Sequence, residues 1–142
     1  MKVYVAASSQ HATQAARFMR EIRQAGHEIT YDWTVDVLKF GAGDPKEVPE
    51  DVMRKAAEND RRGVRECHLF ILLWSPMAYG ALMELGMAME RRRRIWIIGE
   101  SEPGPGSVRF SVFWLLPDIQ FEIKYGWEAI QELEHGDAFH AI

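Results

Sequence analysis

Thiols are nearly absent from this sequence: Cys67 is its single cysteine, so no disulfide can form within the chain. A reducing, cytoplasmic setting is the expectation. Long hydrophobic runs are missing too. No stretch approaches the roughly 20 apolar residues that span a bilayer, and the opening residues lack the basic, apolar and small-residue layout of a secretory signal. No membrane partner is expected. The five histidines are scattered, and one cysteine cannot build a zinc cluster, so no metal is expected. The glycine fingerprints GxGxxG and GxxxxGK are absent from the strand–helix junctions, as is a GxSxG elbow. Nor is there a basic excess. Seventeen Lys and Arg stand against 21 Asp and Glu, and the net charge of −4 argues against a polymeric nucleic acid while permitting a small phosphorylated ligand. These gaps remove the commonest enzyme classes of α/β proteins and leave carboxylates as the available chemistry.

What is present is an ordinary globular composition. The 142 residues are 47% hydrophobic and 27% charged, and their number fits one domain spanning 1–142. Apolar residues 3–7 stop at Ser8-Ser9-Gln10, as a buried strand entering a polar loop does. Ala16, Phe18, Met19 and Ile22 recur at helical spacing within 13–24, with Gly26 as the stop. Residues 28–33 are expected as a second strand, and the segment holding Gly41, Gly43, Pro45 and Pro49 as a loop. A charged helix follows over 50–66, acidic in its first turn and basic in its last. Residues 68–74 are apolar nearly throughout, the pattern of a third strand covered on both faces. A helix over 79–93, a fourth strand over 95–98 and a Pro/Gly loop at 102–106 come next. A short aromatic turn at 110–115, a fifth strand over 119–123, a helix over 127–134 and a loose tail over 136–142 complete the pattern.

Strands alternating with helices predict an α/β fold: a doubly wound, flavodoxin- or Rossmann-like sheet of about five parallel strands with helices on both faces. Such sheets bind ligands beyond the carboxyl ends of their strands, where the chain order reverses. The residues to search are therefore Ser8, Ser9 and Gln10, then Trp33 and Thr34, then 75–80 and 99–111.

Glu84 stands out there. It is the lone charge in Gly80-Ala81-Leu82-Met83-Glu84-Leu85-Gly86-Met87-Ala88, just after the third strand. From these surroundings two readings are open: a carboxylate sheltered from water at a ligand site, or an acid at a favourable helix start. Asp60, within Asn59-Asp60-Arg61-Arg62, could reach the same edge, or could be a solvated acid beside arginines. Two carboxylates flanking one pocket are the equipment for breaking a glycosidic bond.

With these residues the chain resembles the nucleoside 2-deoxyribosyltransferase superfamily, including its 2′-deoxynucleoside 5′-monophosphate N-hydrolase branch. The likeness runs from Lys2 to about Glu134. It rests on Val3-Tyr4-Val5-Ala6-Ala7, on Gly26-His27-Glu28-Ile29-Thr30 leading to Trp33, and on Ala57 with Asp60. It continues through 79–88, with its Glu-Leu-Gly-x-Ala core, to Val112-Phe113-Trp114-Leu115-Leu116-Pro117. The resemblance implies cleavage of the N-glycosidic bond of a 2′-deoxynucleoside or its 5′-monophosphate, with no cofactor and in a homodimer or higher homo-oligomer. It implies Glu84 as nucleophile, forming a 2-deoxyribosyl ester, and Asp60 as the acid assisting the departing base. Water or a second base would then take the sugar. The chain departs from the family pattern at Ala78, where a polar residue often stands, and at His68, which replaces an acid at the start of the third strand.

Tyr4, Ala6, Ser8, Ser9, Gln10, Trp33, Tyr79, Gly80 and Ser111 are the candidate substrate contacts. Each also has a plainer reading. Ser8 to Gln10 suit a phosphate or a helix cap. Trp33 and Tyr79 suit a base or sugar, or packing against the sheet. Ser107 and Ser111 suit a neighbouring subunit's site or a solvent-facing loop. Arg91 to Arg94 suit the end of a helix, away from the pocket, and Phe110, Phe113 and Trp114 suit packing or a dimer contact. Cys67 is expected as a small core residue, and His68 as a buried strand residue, a titratable one being the other reading. NAD-type N-ribosyl cleavage and a non-catalytic nucleotide sensor are the alternative functions.

Overall fold

A strand without polar side chains is stable only with both faces covered, and three segments of this chain have that character. They are Val3-Tyr4-Val5-Ala6, Leu69-Phe70-Ile71-Leu72 and Ile95-Trp96-Ile97-Ile98, all buried. In a computed structural model, which describes residues 1–40, 48–75, 78–99 and 112–135, they form the centre of a five-stranded, all-parallel sheet. The strands are β1 (Lys2–Ala6), β2 (Glu28–Ile29), β3 (Leu69–Leu73), β4 (Arg94–Ile98) and β5 (Phe121–Lys124), in the order β2-β1-β3-β4-β5. Registers are continuous across the middle: Tyr4 pairs with Phe70, and Phe70 with Ile95. The helices are α1 (Ala12–Gln24), α2 (Thr34–Phe40), α3 (Glu50–Glu66), α4 (Tyr79–Glu90) and α5 (Gly126–His135). α1 packs with α5, and α3 with α4. This is the doubly wound α/β arrangement expected from the alternation, and its order reverses between β1 and β3.

Local signals explain several boundaries. α1 stops where Gly26 adopts φ +93. There the Gly26 and His27 N–H groups donate to the carbonyls of Arg23 and Ile22, at 3.0 and 3.3 Å, closing the helix end. α3 has acids at Glu50 and Asp51 and Arg65 in its last turn, which complement the helix dipole.

Some boundaries differ from the expectation. The second strand is two residues long, not six, and a helix, α2, starts at Thr34 where none was expected. Asp32 accounts for it: its Oδ1 accepts from the Thr34 N–H at 3.0 Å, a side-chain bond that starts a helix rather than extending a strand. α4 ends at Glu90, and Arg94 belongs to β4 instead of closing the helix. β5 begins at Phe121, two residues later than expected. His68 is exposed just before β3, its Nδ1 taking the Lys2 N–H at 3.2 Å, whereas a buried strand position was expected. Cys67 is buried, with its thiol on the Val64 carbonyl at 3.1 Å. The expected Pro/Gly loop, Ser107, Phe110, Ser111 and the tail over 136–142 lie outside the described residues.

Candidate active site

β1 carries an aromatic residue into the switch point. Tyr4 is fully buried, stacked on Phe70 of the neighbouring strand with ring centroids 5.8 Å apart. Its other flank meets α3 at Gly63. A Cβ at Gly63 would fall 2.8 Å from Tyr4 Cδ2, 2.9 Å from Cε2 and 3.0 Å from Tyr31 Cβ. Only a residue without a side chain lets α3 lie this close. The Thr30 hydroxyl ties the same turn down, donating to the Gly63 carbonyl at 2.8 Å. Asp60 stands one helical turn before Gly63 and is thereby brought over the sheet edge.

α4 supplies the second acid. The helix starts at Tyr79, immediately beyond β3, and Glu84 lies in its early turns. The Tyr4 hydroxyl donates to Glu84 Oε2. Asp60 Oδ1 is buried without a hydrogen-bond partner among the described residues. The one phenol bears on both carboxyl groups at the carboxyl edge of β1 and β3.

Burial dominates the electrostatics here. Burial, the nearby Asp60 charge and the opposing pull of the Tyr4 bond leave the Glu84 carboxyl pushed up to about 8, burial being the largest cause. Burial likewise pushes Asp60 up to about 6; the Tyr4 hydroxyl lowers it and the charge of Asp36 raises it. Tyr4 itself is held far above its ordinary value by burial and then by the two carboxylates, so it stays a donor. At neutral pH this pair of acids holds one proton between them. Such a pair can present a nucleophile and an acid side by side.

Glu84 and Asp60 open on a cleft of about 330 Å³. Ser8, Ser9, Trp33, Tyr79 and Gly80 line it as well, so the structure brings seven of the sequence-derived candidates together. Tyr4 reaches it through Glu84. Ala6, buried within β1, and Gln10, exposed in the turn Ser9–His11, are not among its described lining residues, and Ser111 lies outside the described segments. Ser8 caps that turn, its Oγ accepting the Gln10 N–H at 3.3 Å. Trp33 is 9% exposed and is pinned by its indole N–H to the Val5 carbonyl at 2.7 Å. Ala78, at the position of the departure from the family pattern, is buried and also borders the cleft.

Sequence reasoning missed Tyr31, Asp36, Val37 and Ala56 on the same walls. Three of them sit on or beside the unforeseen α2, and Asp32 as a helix-starting residue was the available signal. Among the described residues no group of three or more His, Cys, Asp or Glu side chains could hold a metal ion, and no helix is long and apolar enough to cross a membrane.

The fold has a solved counterpart. The chain is similar to the CMP N-glycosidase BcmB of Clostridium botulinum, with a TM-score of 0.60 and 18% identity. The match covers 94% of this chain and 99% of that one. At this identity the likeness is one of fold. No protein-family model and no curated protein matches the chain.

Proposed function

We propose that the chain, acting as one domain over 1–142, cleaves the N-glycosidic bond of a 2′-deoxynucleoside or its 5′-monophosphate. The observation that carries this is the half-buried pair Glu84 and Asp60, both bearing on Tyr4 and opening on one cleft at the switch point. The structural neighbour, a CMP N-glycosidase, supports the same reaction type. So does the resemblance of 79–88 to the nucleoside 2-deoxyribosyltransferases.

In this reading the one proton shared by the pair, which rests on Glu84 in the empty cleft, moves to Asp60 when substrate binds, and the ionised Glu84 attacks C1′ of the sugar. A carboxylate oxygen–C1′ bond forms as the C1′–N bond breaks, its electron pair passing to the base and the proton of Asp60 following it. The transition state carries oxocarbenium character, which the adjacent carboxylate stabilises before it bonds. The Tyr4 hydroxyl orients Glu84. Water then attacks C1′, the ester bond breaks, and Asp60 takes the proton of the water; a second base in place of water completes a transfer instead. No cofactor takes part.

The reading includes a second copy of the chain. α4 turns Tyr79, Met83 and Met87 to solvent, Met83 being 69% exposed, and this apolar face is continuous with the cleft rim at Tyr79.

The test is release of free base from deoxynucleosides and their 5′-monophosphates, followed by chromatography. Base release by the native chain and a loss of at least about 10³-fold in Glu84→Gln are expected. Ligand binding without release, equal in the two proteins, would replace this reading with a sensor.

A further inference from the structure

The wall of the cleft beyond Asp60 carries a carboxylate that the proposed chemistry leaves unused. Asp36, near the start of α2, lines the cleft together with Tyr31, Trp33 and Val37. The Tyr31 hydroxyl donates to Asp36 Oδ2 at 3.2 Å, holding the carboxylate in place. Tyr31 is in turn seated against the Gly63 turn of α3, the turn that positions Asp60.

The acids of the cleft stand in a definite order. The charge of Asp36 bears on Asp60 and on Tyr31, while the groups that bear on Glu84 are Tyr4 and Asp60. In the sheet order β2 and β3 flank β1, so Asp36, on the helix after β2, and Glu84, on the helix after β3, approach the cleft from opposite sides of Tyr4, and Asp60 bears on Glu84 and feels Asp36. With Glu84 at C1′, the acid must reach the departing base. The group beyond that acid then faces the base, not the sugar. The surroundings agree, since Trp33 and Val37 provide flat and apolar surface for a ring.

We propose that Asp36, held by Tyr31, reads the exocyclic amino group of the base, so that the site prefers amino-bearing bases of the cytosine or adenine type to their keto counterparts. This rests on the N-glycosidase reading and adds the class of base to it. The selection is directional. A carboxylate accepts hydrogen bonds and does not donate them, whereas an amino N–H donates and a keto oxygen only accepts. A keto base would set two acceptors face to face, with no proton to share between them. Asparagine at this position would present an acceptor and a donor and serve either base.

The test compares matched pairs, cytosine with uracil and adenine with hypoxanthine, as deoxynucleosides and as 5′-monophosphates. kcat/KM for base release is measured in the native chain and in Asp36→Asn. Calorimetric binding of the same ligands is measured in Glu84→Gln and in Glu84→Gln/Asp36→Asn. The amino member is expected to be favoured about 10–100-fold in the native chain, and the preference to shrink to about threefold or less in Asp36→Asn. Absence of an amino preference, or a preference unchanged by Asp36→Asn, would overturn the assignment. If no ligand released base, the glycosidase reading would fail while binding still decided the base. An amino preference in Glu84→Gln that vanishes in the double variant supports the role of Asp36, and equal or no binding removes it.

Discussion

Two groups of ionisable side chains sit against this sheet, and they behave in opposite ways. Beside α5, Lys124 is 8% exposed yet lies 3.0 Å from Glu122 and in contact with Glu132, and its ammonium stands 4.9 Å from the Trp96 ring centroid. Burial pulls Lys124 down, but its carboxylate partners outweigh it and raise the ammonium above its ordinary value. Burial opposes Glu122 as well, and bonds from Lys124 and Arg94 hold it below the usual carboxylate range. At the switch point Glu84 has a phenol and Asp60 beside it, and Asp60 has the same phenol and Asp36, with no cation among the groups that shift them. Their carboxyls rise. Opposite charges at the first place outweigh burial and favour ionisation; at the second, burial above all and then like charge oppose it. The first arrangement holds its groups ionised; the second leaves two carboxyls that change protonation near neutral pH.

The largest expected effect tests the second place. A cleft holding one proton between Asp60 and Glu84 gives a bell-shaped rate profile, rising near 6 and falling near 8, values that belong to the pair. Below the lower value both acids are protonated and no nucleophile exists; above the upper value both are ionised and no acid remains. Asp60→Asn removes the acid and the charge that raises Glu84. The rate falls by about 10²–10⁴-fold. The bell becomes a single rise at a pH below about 8, read from pH–rate measurements. A bell that survived in Asp60→Asn would place the acid elsewhere.

A smaller effect is expected at Gly63. An alanine Cβ 2.8 Å from the Tyr4 ring forces α3 or the ring to move, which loosens the Tyr4 bond to Glu84. Gly63→Ala should lower kcat about 10–100-fold with little change in KM. It should also shift the alkaline limb upward, because Glu84 loses the bond that lowers it. Lost stability without a shifted limb would make Gly63 a packing residue alone.

The smallest effect separates the two places by stability. Lys124→Met should cost about 1 kcal/mol in denaturant unfolding and leave base release unchanged. The lysine is raised in the folded state, so its contribution is complete below about 10, the unfolded value, and is lost as pH climbs through the higher folded one. Glu84→Gln should do the reverse and stabilise the chain by about 1 kcal/mol at pH 8, where the native carboxyl is costly to ionise. Destabilisation by Glu84→Gln would erase the contrast.

Much of this was legible in the residues. Apolar runs at 3–7, 68–74 and 95–98 foretold buried parallel strands because both faces of each had to be covered, and Gly26 marked the end of α1 by its positive φ. Glu84 was visible as a lone charge among apolar neighbours. α2 was not, because Val35, Leu38 and Trp33 suit a strand end as well as a helix, and the Asp32 bond to Thr34 that decides it is a local side-chain choice. Asp36 and Tyr31 remained hidden with it.

Residue order by itself determined the alternation of strands and helices, and hence which edge of the sheet would hold a site, because periodicity and burial act over neighbouring residues. Only the tertiary structure decided that Tyr4 and Glu84, 80 residues apart, share a hydrogen bond. It also decided that a glycine on α3 would let Asp60 join them. Those distances arise where three elements cross, and no short stretch of sequence contains them.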